Sequence, residues 1–388
     1  MKKVCIVTAA RSEYGLLRWV IDEVHKSEDL ELQLVVTGGH LSDEQGYTFN
    51  AIEADGYPIA AKVNINVDSS SQISVCKTMA TCIEKMSVTF SQLQPDVIIV
   101  LGDRYELLPI CSTALLLNIP IAHIAGGDIT EGALDNSVRN AVTMMSTYHF
   151  PGTQESGERV TRMLGTTKNV FVTGETNIDN FNHIPLWNRE DIASSLGIDP
   201  SKKWVLCTYH SETVLSLEEN IDRVKALSKL FIEDLKDYEI VITKSNADYG
   251  GKTINEHFAM VANTNSHIHQ YSSLGQARYL SILYQVEFMI GNSSSGIFES
   301  PFVGVPCINL GDRQKGRIYS SNILTIEGDY DAMVHAVENI HTQHFLDGLK
   351  HMDNPYGDGH SSERIVKILK EKLYEKRKNY SCWSRTTF

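Results

Sequence analysis

GNSSSGIFES, residues 291–300, follows the apolar run Phe288-Met289-Ile290 and precedes GDRQKGR, residues 311–317. The apolar run has the length of a buried strand, the Gly/Asn/Ser turn breaks it, and Ile297-Phe298 open a helical pattern. Backbone N–H groups and hydroxyls of Ser293, Ser294 and Ser295, with Gly296 allowing close approach, then face the unsatisfied end of a helix whose dipole favours an anion. A nucleotide diphosphate fits that place. Glu299 lies about one and a half turns into the helix, where a carboxylate accepts from both ribose hydroxyls. A serine-rich helix cap reads the same in isolation, so the rest of the chain has to decide.

Outward from this stretch, strand-like runs alternate with helical patterns. Val4–Thr8, Leu32–Val36, Asp96–Leu101, Ile119–Ile124 and Val170–Val172 form one set; Trp204–Cys207, Glu239–Thr243, His267–Tyr271, Val286–Ile290 and Pro306–Leu310 form another. Continuous apolar runs separated by helices imply parallel strands covered on both faces. The expected fold class is therefore α/β, with two Rossmann-like domains facing a central cleft. The polar stretch from Pro185 to Lys203 marks the boundary. The expected division is 1–183, 184–364, and a C-terminal helix and tail, 365–388, folding back on the first domain.

Composition limits the function classes. In 388 residues, 48 acidic against 35 basic side chains give a net charge of −13, which disfavours nucleic acid or an anionic membrane as partner. With 42% hydrophobic residues the chain has ample core for two domains. Its 7 cysteines, an odd number without a CxxC pair, read as reduced core residues of a cytoplasmic protein. No apolar run reaches membrane-spanning length, and Val4–Ala10 is followed at once by Arg11 and Glu13, unlike a signal peptide.

Polar motifs fall at the carboxyl ends of the strands, where open parallel sheets bind ligands. Arg11 stands at the first strand-to-helix turn, suited to clamping a phosphate. Gly102-Asp103-Arg104 follows the run VIIVL, exposing an acid and a base together; His123 leads to Gly126-Gly127-Asp128, and Asp135 opens the helix after it. Asp135 alone would make a good first-turn acid. Asp103, Asp128 and Asp135 together form an acidic cluster in which mutual repulsion raises at least one pKa, suiting proton transfer. Metal-ligand spacings of the HExxH kind are absent around them, so no metal and no cofactor is expected. In the second half His210 ends the strand WVLCTY, Asn246 and Asp248 end the next, and Arg313 and Arg317 follow the last. Asn246 and Asp248 suit a base or ribose, though an Asx turn explains them as well.

ARSEYG, LGDRYE, HIAGGD with ITEGALD, HSET, KSNAD, GNSSSG and GDRQKGR, spread in that order from residue 10 to 317, resemble the hydrolysing UDP-N-acetylglucosamine 2-epimerases. These are the bacterial enzymes that begin sialic acid synthesis, with close relatives in legionaminic acid synthesis. The resemblance implies a glycosyltransferase-B-like fold and conversion of UDP-N-acetylglucosamine and water to UDP and N-acetylmannosamine. By matching motif, Asp103, Asp128 and Asp135 share proton transfer and water activation, with Arg104 beside them and His210 near the phosphates or sugar. Arg11, Ser293, Ser294 and Arg313 hold the diphosphate, and Glu299 the ribose. The resemblance also implies a homodimer or homotetramer; the sequence itself offers only the apolar stretch TALLLNIPI for such a contact.

Several positions depart from the family pattern: Asp128 stands where glutamate is common, Asn140 where histidine is, Ser211 where proline is, and Ala9-Ala10 where glycine and serine are usual. One methylene less at Asp128 moves a proton-transfer distance by about 1 Å and alters rate or sugar preference. A UDP- or GDP-linked 2,4-diacetamido-2,4,6-trideoxy sugar therefore competes as substrate. A non-hydrolysing 2-epimerase, a glycosyltransferase and a non-catalytic sugar-nucleotide binder are the other readings. The markers Gly102-Asp103-Arg104 and Asn292–Ser295 speak against the first, and the retained carboxylates against the last.

Overall fold

A computed structural model describes residues 1–43, 47–129, 134–212, 214–246, 248–350 and 352–375. Thr130–Ala133, Thr213, Ala247 and Cys382, named in the motifs and cysteine pattern above, lie outside the described residues. The chain forms two compact units, Met1–Thr176 with His360–Phe388, and Asn177–Gly359. The divisions thus fall at 176/177 and 359/360 rather than at the expected 183/184 and 364/365.

The first unit holds β1 (Lys2–Thr8), β2 (Leu30–Thr37), β3 (Ile59–Val63), β4 (Val97–Leu101), β5 (Ile121–Ile124) and β6 (Tyr148–Phe150). They form a parallel sheet of order β3-β2-β1-β4-β5-β6. Alternation along β1 sends Val4 and Ile6 into one buried layer, with Leu34 and Val36, and Cys5 and Val7 into the other, with Val35, Ile98 and Val100. Both faces are covered, which is why the run reads as continuously apolar. The helix Ser361–Tyr374 buries Ile365, Val366 and Leu369 in the same core as Val20 and Val24 of the helix Arg11–Lys26. Its Tyr374 hydroxyl donates to the Asp29 carbonyl at 2.9 Å.

The second unit repeats the plan with β7 (Lys203–Thr208), β8 (Tyr238–Thr243), β9 (Ile268–Tyr271), β10 (Phe288–Gly291), β11 (Cys307–Leu310) and β12 (Ile323–Ile326). Its parallel sheet has the order β12-β11-β10-β7-β8-β9. Val205 and Cys207 face one layer, Trp204 and Leu206 the other. In each sheet the first strand lies beside the fourth, β1 beside β4 and β7 beside β10. That pair is the topological switch point, where the connections leave in opposite directions and open the strand ends.

Three edge strands escape the apolar pattern. β3 alternates half-buried and exposed positions before its buried last residue, Val63, β12 has no fully buried residue, and β6 is three residues long. The expected strand at Val170–Val172 is an isolated bridge from Val170 to His149. Phe171 contributes by stacking on Phe150, ring centres 5.9 Å apart, while Val172 is exposed.

Candidate active site

In the first unit the carboxyl ends of β1 and β4 enclose a recess of about 460 Å3 lined by Ser12, Glu13, Asp103, Arg104, Tyr105 and Asp135, among others. Asp103 follows the turn at Gly102, whose carbonyl accepts the Nε2–H of the buried His123 at 2.8 Å. Thr143 Oγ1 lies 3.2 Å from His123 Nδ1 and donates to it, and burial pushes this imidazole down to about 4. A neutral histidine with a fixed tautomer thus anchors the loop that carries Asp103. Arg139 Nη2 forms an ion pair with the Asp103 carboxylate, while its Nη1 donates to the Asp128 carbonyl at 2.7 Å and to Asn136 Oδ1 at 3.2 Å. Asp128 Oδ1 accepts from Ser156 Oγ at 2.6 Å.

The acidic cluster is therefore divided. Asp103 and Asp135 share the recess, with Asp135 exposed at the start of the helix Asp135–Met145; Asp128 is not among the lining residues and is coupled to Asp103 through Arg139 and its own main chain. Glu13, which the motif reading passed over, is raised towards neutrality: burial pushes it up to about 7 against hydrogen bonding from Ala9. Arg104 donates to the buried Glu106 at 2.7 Å. Arg11, the first residue of its helix, is exposed.

In the second unit the ends of β7 and β10 are joined by one buried side chain, Asn292. Its Oδ1 accepts the His210 N–H at 2.7 Å and its Nδ2 donates to the His210 carbonyl at 2.8 Å. The Asn292 carbonyl in turn accepts from Gln314 Nε2 at 2.8 Å and Arg313 Nη1 at 3.2 Å, tying in the loop after β11. His210 Nδ1 accepts the Asn246 N–H at 3.1 Å, and Asn246 Nδ2 donates to Asp248 Oδ2 at 2.7 Å. Burial, with Arg313 nearby, pushes His210 down to about 4. The imidazole is neutral at pH 7, its proton is on Nε2, and that N–H can be offered to an anionic oxygen. Asn246 and Asp248 line a recess of about 680 Å3 together with Lys244, Ser245 and Lys252.

The turn GNSSSG holds a positive φ of 141° at Gly291, where a Cβ would run into the Thr208 carbonyl. Gly296 packs so that a Cβ would sit 2.6 Å from Cys307 Sγ. The single helix expected from Ile297 onward is instead two short turns, Ser295–Phe298 and Ser300–Val303, meeting at Glu299. Pro301 lacks the N–H that would continue the ladder. Glu299 therefore ends the first turn and accepts from Ser295 Oγ, with burial raising its carboxyl. Ser293, Ser294 and Ser295 are half-buried, and Ser293 Oγ accepts the Ser295 N–H at 3.3 Å. Among the described residues no group of three or more His, Cys, Asp or Glu is arranged to hold a metal ion.

Glu13, Glu106, Arg139, Ser156, Asn292 and Gln314 are the residues that motif reading missed. Arg139 had one local signal, its spacing four residues after Asp135 on the same helix face. Glu13 and Glu106 bond to near neighbours, Ala9 and Arg104, but no local pattern announces their burial; Ser156, Asn292 and Gln314 act through partners remote in sequence.

Two doubly wound parallel sheets with their polar strand ends at the switch points define a two-domain α/β protein of the glycosyltransferase-B type. UDP-GlcNAc 2-epimerase from Neisseria meningitidis, in a crystal structure bound to UDP-GlcNAc, superposes with a TM-score of 0.77 at 17% identity, covering 95% of this chain and 100% of that one. Residues 22–370 match the UDP-N-acetylglucosamine 2-epimerase family, and the chain belongs to it. Among curated relatives, the GDP/UDP-N,N'-diacetylbacillosamine 2-epimerase (hydrolyzing) of Campylobacter jejuni is 38% identical over 89% of this chain and 88% of its own length. The UDP-N,N'-diacetylbacillosamine 2-epimerase (hydrolyzing) of Legionella pneumophila is 31% identical over 95% and 96%.

Proposed function

We propose that the protein is a hydrolysing 2-epimerase of a nucleotide-linked amino sugar, with a UDP- or GDP-linked N,N'-diacetylbacillosamine as substrate. The observation that carries the reaction type is the recess in which Asp103 and Asp135 stand with Arg104, with Asp128 coupled through Arg139. The substrate choice is supported by the two diacetylbacillosamine relatives. UDP-N-acetylglucosamine is the second reading, supported by a 25% identical Neisseria meningitidis relative of that activity that covers 85% of this chain.

In this reading a carboxylate of the first unit removes the proton from carbon 2, the electron pair forms the C1–C2 double bond, and the C1–O bond to the diphosphate breaks. Water then adds at carbon 1 of the glycal, and carbon 2 receives a proton from the other face. Asp103, Asp135 and Asp128 divide these transfers. The second unit holds the nucleotide: neutral His210 donates from Nε2, Arg313 and the serines meet the diphosphate, and Glu299, with Asn246 and Asp248, meets the nucleoside.

Proton NMR in deuterated water tests the reading. Free, epimerised diacetamido sugar deuterated at carbon 2, with equimolar nucleoside diphosphate, is the expected product. A sugar epimerised while still attached to the nucleotide, or no turnover of either substrate, would overturn it. Self-association belongs to the same proposal: Leu115, Leu116 and Leu117 are exposed on and beside one helix, and Ile83 and Val88 on the helix packed against it. A monomer by light scattering at micromolar concentration would reject that part. A cytoplasmic location, supported by six free described cysteines, is tested by cell fractionation. No described helix is long and apolar enough to cross a membrane.

A further inference from the structure

Glu13 is 3% exposed, yet it lines the recess shared by Asp103, Arg104 and Asp135. Its Oε2 accepts the Ala9 N–H at 2.6 Å, which ties the start of its helix to the end of β1. Its Oε1 is buried without a hydrogen-bond partner, as are Glu106 Oε2 and Arg104 Nε. Arg104 donates to Glu106 Oε1 at 2.7 Å, and the charges of Arg104 and Glu106 both act on Glu13. Two buried acids, Glu13 after β1 and Glu106 after β4, thus lie in the field of one guanidinium at the switch point, which is hydrogen-bonded to Glu106. A buried pair with a surplus negative charge is costly unless one acid keeps a proton.

We propose that Glu13 is a positioning residue for Arg104: its charge, together with that of Glu106, decides how far the guanidinium is neutralised and so how much of it is available to the anionic sugar nucleotide. This rests on the reading of the first unit's recess as part of the substrate site. When Glu13 holds its proton, Arg104 answers to Glu106 alone; when Glu13 ionises, two carboxylates compensate one guanidinium and the attraction for an anion falls. Burial sets that transition at about 7. The other titratable groups around the cluster are Cys111, on the helix Leu107–Leu116, which feels Glu13; Cys82, which feels Glu106; and His40 and Tyr105, which face Arg104. Burial pushes His40 down to about 4 and both thiols up, so none of these three changes charge between pH 6.5 and 8.5. Tyr105 is raised further above an already basic value. Asp103 and Asp135 line the same recess. A diphosphate esterified at both ends has no proton to gain in that range.

The test compares wild type with Glu13→Gln and Glu13→Ala in steady-state kinetics from pH 6.5 to 8.5. In the wild type KM rises by up to ~10-fold per pH unit above the transition, because only the protonated form offers Arg104 fully. Glu13→Gln, which keeps an acceptor for the Ala9 N–H but carries no charge, shows a KM that no longer depends on pH. Glu13→Ala loses the Ala9 tether as well and falls in kcat. A second readout is thermal stability. The folded carboxyl titrates near 7 and the unfolded one near its ordinary value of 4.5, so ionisation destabilises the native state as pH rises through this window. Glu13→Gln therefore raises the melting temperature by about 3 °C or more at pH 8 and little at pH 5. A wild-type KM that is flat with pH, or one that rises identically in Glu13→Gln, overturns the proposal. Asp103→Asn, assayed alongside, reports separately on the underlying reading: if it turns over normally, the recess is not the sugar site, whatever Glu13 does.

Discussion

Replacing Asn292 with alanine isolates the physical role of one buried amide. Asn292 is 0% exposed, and both halves of its side chain are spent on His210, through the 2.7 Å and 2.8 Å bonds to that residue's N–H and carbonyl. Alanine leaves both backbone groups of His210 without these partners. An orphaned buried polar group costs about 1–3 kcal/mol, so the loss is about 3 kcal/mol after partial relaxation. For a unit of this size that lowers the melting temperature by about 6–12 °C. The Asn292 carbonyl still receives Gln314 and Arg313, so the loop after β11 keeps its anchor. The strand end carrying His210 does not. A displacement of about 1 Å at a positioning group costs on the order of 100-fold in rate. Asn292→Asp is the sharper variant, because the carboxylate still accepts the His210 N–H but turns an oxygen toward the His210 carbonyl, where a donor stood. Calorimetry and product release from the nucleotide sugar measure the two effects. Stability within about 0.5 kcal/mol of wild type in both variants, with unchanged turnover, would refute the argument that this amide holds the site.

Asp103→Asn keeps the shape and part of the hydrogen bonding to Arg139 but removes a carboxylate proposed to handle a proton; kcat falls by about 100-fold or more with the far-ultraviolet circular dichroism spectrum unchanged, and retained activity would remove Asp103 from the chemistry. Gly296→Ala forces a methyl to within 2.6 Å of Cys307 Sγ in a buried turn, costing about 1–3 kcal/mol in urea denaturation; an unchanged midpoint would show that the turn yields. His40, His123 and His149 are at most 3% exposed and each is pushed by burial from 6.5 to about 4. The unfolded chain therefore takes up protons that the native state refuses. Stability is full above pH 6.5 and falls as pH drops toward 4, by up to ~1.4 kcal/mol per pH unit for each histidine. Urea midpoints equal at pH 7 and pH 5 would contradict it.

The strands that carry the site were legible because each is buried on both faces. Val97–Leu101 and Phe288–Gly291 are covered at every position, and such runs announce themselves without any partner being known. The edge strands Ile59–Val63 and Ile323–Ile326 face solvent on one side, so their patterns dilute into that of loops. The turn after β10 was also legible, since Gly291 and the serines that follow are local signals. The helix beyond it was misjudged in length because Pro301 interrupts a pattern that periodicity alone would extend.

The sequence by itself determined two parallel α/β units, a polar residue set at the strand ends and the family to which the set is similar, because apolar runs, turn residues and motif order are properties of neighbours along the chain. Tertiary structure alone decided which of those residues act together. Arg139 reaches Asp103 across 36 positions, and Asn292 reaches His210 across 82. It also decided that Glu13, an ordinary first-turn glutamate in sequence, lies buried beside Arg104 and Glu106 and keeps its proton to about 7. Desolvation and pairing depend on what packs around a group, and that is fixed only when β1 and β4, or β7 and β10, come side by side.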